Sequence, residues 1–360
     1  MERKYSPILK GKRGELTAYN RLSQRAADRT FATIEIPPIP SIFKEDEPGK
    51  RVGLKHSVEE HLESFSNLIA AKIKPGIEFG VDFSPLRRSA VRRSKLIDLL
   101  IDPMRKAGFS PIPVIGLNDE IPYFGNLVDF ANKTRSPFVV RVSRSECNFP
   151  NAILRQVGEL SQTIGVPFSS IRLLFDFGAI TPGEVEEIQT VSLELEGELP
   201  LSEFAMSSIV ATSIPASQIL LLGLNRFGDS DSMPRVEWQA WRQAGLSQLG
   251  FGDYGITHPD DYADIDFRLI TLGGKVRYTT RDQFVVLKGR KLKGNSKQFD
   301  ELAKLLKATG VCSAPNYSWG DKQIAKCASE TRGPGSLEMW IAFSTNHHMT
   351  LVARQLASAA

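Results

Sequence analysis

Short apolar runs alternate with longer amphipathic segments through the first two-thirds of the chain. An apolar run of this length is typical of a buried strand, whereas apolar positions three and four residues apart are typical of a helix. Repeated alternation of the two favours a parallel α/β architecture. The predicted strands are residues 31–37, 77–83, 111–117, 138–143, 171–177, 207–213, 249–255 and 275–278, the last forming a hairpin with 284–287.

The number and spacing of these units favour a (β/α)8 TIM-barrel-like fold, in which about eight units fit within roughly 250 residues. An open, doubly wound sheet is the alternative. It usually carries a glycine-rich turn after its first strand, but residues 36–40 read Ile-Pro-Pro-Ile-Pro, which has no G-x-G-x-x-G motif. We therefore assign residues 1–288 to the barrel, including a basic N-terminal segment, and residues 289–360 to a helical C-terminal tail that packs on it.

Helices are predicted between and after the strands. Ser57 with Glu60 has the spacing of a capping box, and Thr181 followed by Pro182 is a typical helix start. The predicted helices are residues 57–71, 89–107, 123–132, 151–165, 181–195, 236–248, 298–309, 323–329 and 340–356.

Charged residues recur near the ends of the apolar runs. A charge within a buried strand is costly unless it is paired, hydrated or bound to a ligand. In a parallel barrel the strands point the same way, so residues at equivalent heights converge. The sequence therefore predicts one shared site at a mouth of the barrel, built from Glu35, Asp82, Arg141, Asp176, Asp253 and Arg277.

The four carboxylates of this set, Glu35, Asp82, Asp176 and Asp253, are the candidate catalytic residues. Carboxylates gathered in one mouth repel each other unless a cation or protons intervene. This predicts either a divalent metal, expected to be Mg²⁺ on Glu35, Asp82 and Asp176, or direct pairing with Arg141 and Arg277. A barrel-interior salt-bridge network without chemistry is the third interpretation.

The candidate substrate-binding residues are basic or aromatic. Residues 10–15 read Lys-Gly-Lys-Arg-Gly-Glu and form either an anion clamp or a solvated basic stretch, but not a P-loop. A second basic run spans residues 87–95 and is either a solvated face or a contact for an anionic partner. His347 and His348 are adjacent, so one of them is expected to pack inward. A general acid or base that the tail delivers to the barrel mouth is the alternative. The substrate-binding set is Lys10, Lys12, Arg141, Arg277, Tyr278 and His347.

Composition narrows the class of protein. The chain is 41% hydrophobic and 24% charged with a formal net charge of +4, which is ordinary for a globular protein and too weakly basic to indicate nucleic acid by itself. No apolar run approaches the roughly 20 residues of a membrane helix, and the first residues lack a signal-peptide core. The three cysteines, at wide spacing, fit a reducing compartment. We expect a cytoplasmic protein without membrane contact.

Several short motifs resemble those of the phage beta-protein family, which is found in phage and bacterial genomes. They are residues 5–12 (Tyr-Ser-Pro-Ile-Leu-Lys-Gly-Lys), Gly14-Glu15, residues 252–255 (Gly-Asp-Tyr-Gly), Arg277-Tyr278 and the tail from Trp340 to His348. The resemblance spans essentially the whole chain. It implies a context of phage–host conflict and transfers no catalytic role.

Two functional hypotheses follow. The first is a phage-defence or phage-related enzyme, such as a metal-dependent hydrolase or phosphodiesterase that acts on a nucleotide or nucleic acid. The second is a non-catalytic binding or sensor subunit that recognises a phage component or a partner protein. The expected partners are a phosphorylated small molecule or nucleic acid, a partner protein, or further copies of the chain in a homo-oligomer. A structural phage component is a third possibility.

Overall fold

The computed structural model describes residues 5–88, 97–117, 136–260, 273–292 and 297–359, together with residues 130, 134, 266 and 295. Apart from Phe130, the predicted helix 123–132 lies outside the described residues, as does the first part (residues 89–96) of the predicted helix 89–107. Within the described part, that second segment contains a π-helical turn, Ile97–Ile101, followed by a short α-helix.

The strands and helices follow the predicted alternation. In chain order the strands are β1 (Ile8–Leu9), β2 (Thr33–Glu35), β3 (Ser41–Phe43), β4 (Arg51–Leu54), β5 (Glu78–Asp82), β6 (Ser110–Gly116), β7 (Phe138–Ser143), β8 (Ile171–Ala179), β9 (Met206–Thr212), β10 (Ser230–Pro234), β11 (Gly250–Gly252), β12 (Gly273–Thr279) and β13 (Gln283–Lys291). The α-helices are α1 (Arg13–Asn20), α2 (Gln24–Ala27), α3 (Val58–Lys72), α4 (Asp102–Lys106), α5 (Arg144–Cys147), α6 (Pro150–Ile164), α7 (Val185–Glu198), α8 (Gln218–Leu221), α9 (Val236–Ala244), α10 (Gln298–Ala308), α11 (Trp319–Ala328) and α12 (Leu337–Ala359).

Eight parallel strands form a barrel in the order β1-β2-β5-β6-β7-β8-β9-β11. The first and last strands close it, because the amide of Ser6 donates to the carbonyl of Phe251 (2.9 Å) and the amide of Ile8 to that of Asp253 (2.7 Å). The predicted (β/α)8 barrel with a helical C-terminal extension is confirmed. Seven of its strands lie within or beside the predicted runs, and β1 was not predicted.

Side chains alternate across each barrel strand, so every second residue points inward. Leu174 of β8 lies in the apolar cluster inside the barrel, whereas its neighbour Phe175 packs in the larger core shared with the surrounding helices. Arg172 and Asp176 share the inward face of Leu174, at the two ends of the same strand. The period of two therefore places one charged residue at each end of the barrel interior.

The predicted helix starts are confirmed where they are described. Ser57 caps α3, its hydroxyl accepting from the amide of Glu60 while the Glu60 carboxylate accepts from the amide of Ser57. Thr181 and Glu184 form the same reciprocal pair before α7. In the described part of the chain, no helix is long and apolar enough to cross a membrane.

The prediction that residues 275–278 supply the eighth barrel strand is wrong. The predicted hairpin is present as β12 and β13, but these strands pair with β10 in a separate antiparallel sheet. This sheet packs with α10, α11 and α12 around its own core, which includes Tyr278, Leu302 and Trp340. The predicted boundary at residue 288 falls inside β13, and β10 comes from the barrel half of the chain.

Candidate functional site

Charged side chains from several strands meet at the C-terminal mouth of the barrel, around Arg141 of β7. Its Nη1 donates to Glu35 Oε1 (2.7 Å) and Asp82 Oδ2 (2.5 Å). Its Nε and Nη2 donate to Asp176 Oδ2 (2.8 and 2.6 Å), and Nη2 also donates to the Tyr254 hydroxyl (2.8 Å). Four of the six residues predicted to share one site are therefore brought together.

The guanidinium of Arg141 has no hydrogen-bond donor left over. Arginine carries five N–H groups, and each of the five contacts above uses one. Its side chain is only 16% exposed, and its carboxylate partners are exposed by 10% or less. Arg141 therefore acts as the internal counter-ion of three carboxylates.

Lys10 supplies the second cation of the mouth. It follows β1, is fully buried, and its Nζ donates to Glu35 Oε2 at 2.6 Å and to the carbonyl of Pro259. The Nζ also lies 5.0 Å from the centre of the Tyr254 ring. Glu35 is thus held by Lys10 on one oxygen and by Arg141 on the other.

Backbone amides just beyond the strands hold two of the carboxylates in place. The amide of Ser84 donates to Asp82 Oδ1 (2.7 Å), and the amide of Gly178 donates to Asp176 Oδ1 (2.9 Å). Gly178 has a φ of 67°, a left-handed conformation that glycine adopts without strain. Both carboxylates are therefore fixed by the chain that follows them as well as by Arg141.

Tyr254 completes the cluster and was not predicted as a site residue. Its hydroxyl donates to Asp176 (2.7 Å to Oδ2) while it accepts from Arg141. Burial raises the pKa of Tyr254 well above its ordinary value, and the carboxylates of Asp176 and Glu35 raise it further against the opposing charge of Arg141. Tyr254 is therefore a neutral phenol at physiological pH.

The electrostatics of the mouth favour the ionised forms of Asp82 and Arg141. Burial by itself raises the pKa of Asp82, but the charge of Arg141 and the hydrogen bonds from Ser84 outweigh it and hold that pKa below its ordinary value. Burial opposes the charge of Arg141, but Tyr254 and the three carboxylates raise its pKa well above its ordinary value. With three carboxylates against Arg141 and Lys10, the described groups carry one net negative charge.

The predicted magnesium site on Glu35, Asp82 and Asp176 does not match this donor set. A guanidinium lies where a shared cation would sit, and each of the three carboxylates already has an oxygen bonded to it. Within the described ranges, no group of three His, Cys, Asp or Glu residues has an arrangement that could hold a metal ion. The arginine-pairing alternative is the one observed, with Arg141 and without Arg277.

Asp253 lies outside the mouth, contrary to its predicted place. Neighbouring residues of an extended chain point to opposite faces. Tyr254 points into the barrel, so its neighbour Asp253 points outward. Its carboxylate accepts from the hydroxyl of Tyr5 (2.5 Å) and the amide of Gly255 (2.8 Å), and it lies 2.8 Å from Nε2 of His348. Asp253 therefore belongs to a buried contact between the barrel and α12.

Tyr278 and His347 form a similar cluster in the C-terminal region, away from the mouth. The hydroxyl of Tyr278 donates to Asp321 Oδ1 (2.7 Å), and Nδ1 of His347 lies 2.8 Å from Asp321 Oδ2. The two rings stack with their centres 4.0 Å apart. The predicted placement of both residues at the mouth is wrong, because the strand that carries Tyr278 belongs to the second sheet.

Arg277 and Lys12 complete the predicted set. Arg277 lies on β12, where its Nε donates to Gln218 Oε1 (3.1 Å), and it is not part of the mouth. Lys12 is exposed beside the mouth, at the N-cap of α1. Burial raises the pKa of nearby Glu15 to about 7, although Lys12 and Lys10 oppose the shift. The predicted basic run 87–95 lies outside the described side chains.

The closed parallel barrel and its charged C-terminal mouth define a (β/α)8 barrel protein with a polar site at the end where barrel enzymes bind their substrates. A model of the Beta protein family matches residues 5–354. The chain belongs to this family.

Distant structural similarity adds no chemistry to this assignment. A crystal structure of Bacillus subtilis HMG-CoA lyase is similar to the chain over 91% of each protein, with 12% sequence identity and a TM-score of 0.38. A likeness this weak carries no argument about the site. Comparison with curated proteins finds no sequence match.

Proposed function

We propose that the mouth of the barrel is the active site of an enzyme that acts on a small polar substrate. The observation that carries the proposal is the convergence of Glu35, Asp82 and Asp176 on one guanidinium at the C-terminal mouth. Catalytic residues of barrel enzymes come from the ends of several strands at this face. An ion-pair network of this size is a costly way to gain stability alone, because desolvation offsets much of the pairing.

The charge of the mouth favours a substrate that becomes more positive during reaction. The carboxylates outnumber the cations, and groups fixed before reaction stabilise developing charge without reorganisation. Asp82 stays ionised because its pKa is lowered. Tyr254 stays neutral and keeps its hydroxyl proton, which fits a hydrogen-bonding role better than proton transfer.

A phosphorylated substrate, as predicted, would have to bind outside the Arg141 network. Each N–H of Arg141 is already used within the protein, so a phosphate could bind there only by breaking a carboxylate contact. Lys12, which is exposed two residues after Lys10, is the cation that we propose would meet such a phosphate. Metal-dependent hydrolysis of a nucleotide or nucleic acid, a role in phage defence and a cytoplasmic location stay predictions.

A non-catalytic binding or sensor module is the second candidate. One observation favours it: all N–H donors of Arg141 are used inside the protein. A fully satisfied polar network is rigid, and a recognition pocket requires such rigidity. In this case the mouth recognises a ligand or a phage component without changing it.

Thermal unfolding with ligand panels, followed by turnover assays, tests the proposal. Magnesium, manganese, nucleotides, sugars and amines are added to the wild type, Asp176→Asn and a control variant, Glu187→Gln, which removes an exposed partner of Arg144. A ligand that binds the folded state raises the melting temperature by mass action. An enzyme should keep ligand binding in Asp176→Asn and lose turnover.

The other outcomes separate the alternatives. Loss of affinity in Asp176→Asn, with no turnover in the wild type, would establish the binding module instead. A melting temperature that falls in Asp176→Asn and responds to no ligand in either protein would show that the network is structural. Glu187→Gln should match the wild type throughout.

A further inference from the structure

A cavity opens at the N-terminal end of the barrel, opposite the mouth. Its volume is about 480 Å³, and its walls include α1, α2 and the first residues of several barrel strands. Arg172 in its wall and Asp176 in the mouth are four residues apart on β8, or about 13 Å at the usual strand rise. The cavity is therefore distinct from the mouth, and its size is that of a small-molecule site.

The described wall of this cavity carries two cations, Arg172 and Lys74, and two acids, Glu78 and Asp28, and among them only Arg172 has a buried donor without a partner. The guanidinium of Arg172 lies 4.7 Å from the centre of the Phe31 ring, and Nη2 donates to Glu78 Oε2 at 2.7 Å. Nη1 is buried and has no hydrogen-bond partner. Burial lowers the pKa of Arg172 and Glu78 only partly offsets the effect, so the cation lacks a full complement of acceptors.

Two further residues of the cavity wall carry unsatisfied polar atoms. The hydroxyl of Tyr19 accepts from the backbone of Ala32 but has no acceptor for its own proton, and Oδ1 of Asn20 is buried without a hydrogen-bond partner. Tyr19 is only 4% exposed, so water reaches it poorly. Buried polar groups are nearly always hydrogen-bonded, and each exception calls for an occupant such as water, an ion or a ligand. Three exceptions in the wall of one cavity call for a polar occupant there.

We propose that this cavity binds a small organic carboxylate that also carries an N–H or O–H donor, as amino acids and hydroxy acids do. Its carboxylate would accept from Arg172 and Tyr19, and its donor group would bind the Asn20 side-chain oxygen. A monoanion suits the site better than a phosphate dianion, because Glu78 already offsets the charge of Arg172. Lys74 and Asp28, both exposed in the wall, carry opposite charges, so the ligand carboxylate would be held by Arg172 and not by a net positive charge of the cavity.

Titration calorimetry with defined probes tests the proposal. L-serine and L-lactate represent the two carboxylate types, glycerol is the neutral control, and glycerol phosphate is the phosphate control. The proteins are the wild type, Arg172→Lys, Asn20→Ala and Asp176→Asn. Arg172→Lys keeps the charge and loses the planar fork of donors. Asp176→Asn changes only the mouth.

We expect at least one carboxylate probe to bind the wild type and Asp176→Asn alike. Affinity should fall about 10- to 100-fold in Arg172→Lys, which loses hydrogen bonds to a charged group, and less in Asn20→Ala. If Arg172→Lys does not fold, Asn20→Ala carries the test. The proposal is overturned if no carboxylate probe binds, if glycerol phosphate binds more tightly, or if the affinity is unchanged in both cavity variants. Binding lost only in Asp176→Asn would move the ligand to the mouth.

Discussion

Replacing Arg141 with methionine removes the counter-ion of three carboxylates while keeping a side chain of similar length. Breaking a buried ion pair by removing one partner costs about 3–5 kcal/mol, because the remaining charge is left uncompensated. Arg141 serves Glu35, Asp82 and Asp176 together, and it is 16% exposed, so little solvent screening reduces the effect. We expect Arg141→Met to lower the free energy of unfolding at pH 7 by about 3–5 kcal/mol.

The loss should depend on pH with a defined sign. Without Arg141, mutual repulsion and burial raise the folded-state pKa values of Asp82 and Asp176 above their unfolded values of about 4, whereas Glu35 keeps Lys10 as a partner. The folded variant then binds more protons than the unfolded chain, so it gains stability as the pH falls through those raised values. In the wild type the pKa of Asp82 is lowered, so its stabilisation is present above pH 4 and is lost at lower pH. The difference in unfolding free energy between the wild type and Arg141→Met should therefore shrink as the pH falls from 7 to about 4.

Urea unfolding from pH 4 to 8 measures both effects. The matched control is Arg144→Met, which removes two partly exposed ion pairs with Glu184 and Glu187 and should cost less than about 1 kcal/mol at every pH. Two results would refute the assignment of Arg141 as the counter-ion of the mouth. One is a loss of unfolding free energy in Arg141→Met that is no larger than in Arg144→Met. The other is a difference in unfolding free energy between Arg141→Met and the wild type that grows at low pH.

Three further predictions concern single contacts. Tyr254→Phe should lower the free energy of unfolding by about 1–3 kcal/mol in urea titration, because it leaves Arg141 one acceptor short. Asp253→Asn should lower the free energy of unfolding at neutral pH, because the carboxylate accepts hydrogen bonds from Tyr5 and Gly255. Burial raises the pKa of Asp253, but His348 and these hydrogen bonds outweigh it and hold that pKa below its ordinary value. The cost of the substitution should therefore shrink as the pH falls through that lowered pKa, which unfolding measured across pH will show. Gly320→Ala should lower the melting temperature, because the new Cβ would lie 2.1 Å from a backbone carbonyl oxygen of α12. Gly158→Ala is the control: the space around Gly158 is open, so this substitution should raise the melting temperature slightly.

The strand pattern predicted most of the barrel because buried parallel strands read as apolar runs with clear ends. β1 escaped prediction because it has two residues and follows Pro7, too short a run for any periodicity to show. The hairpin of β12 and β13 has the same composition as a barrel strand, and only tertiary pairing with β10 places it in a second sheet. Local sequence does not encode which sheet a strand joins.

The site was predictable in part for the same reason. Glu35, Asp82, Arg141 and Asp176 all lie near the C-terminal ends of barrel strands, so their convergence follows from parallel topology. The sequence prediction chose Asp253 instead of its neighbour Tyr254. A shift of one residue along an extended chain exchanges the inner face of the barrel for the outer face. Charge drew attention to Asp253, and a buried phenol gives no such signal.

Closure of the barrel by the first strand has a consequence for how the protein folds. Tyr5 and Asp253, which bond directly, are separated by 248 positions in sequence, and the Asn346 side chain bonds the carbonyl of Ala18 across 328. Contacts of such long range slow folding, since much of the chain must be ordered before they form. During synthesis the opening residues can pair with β2 early, but the barrel cannot be sealed until β11 has left the ribosome. Until then, the strand edges that close the barrel remain unpaired, so they can pair with the wrong strands or bind chaperones.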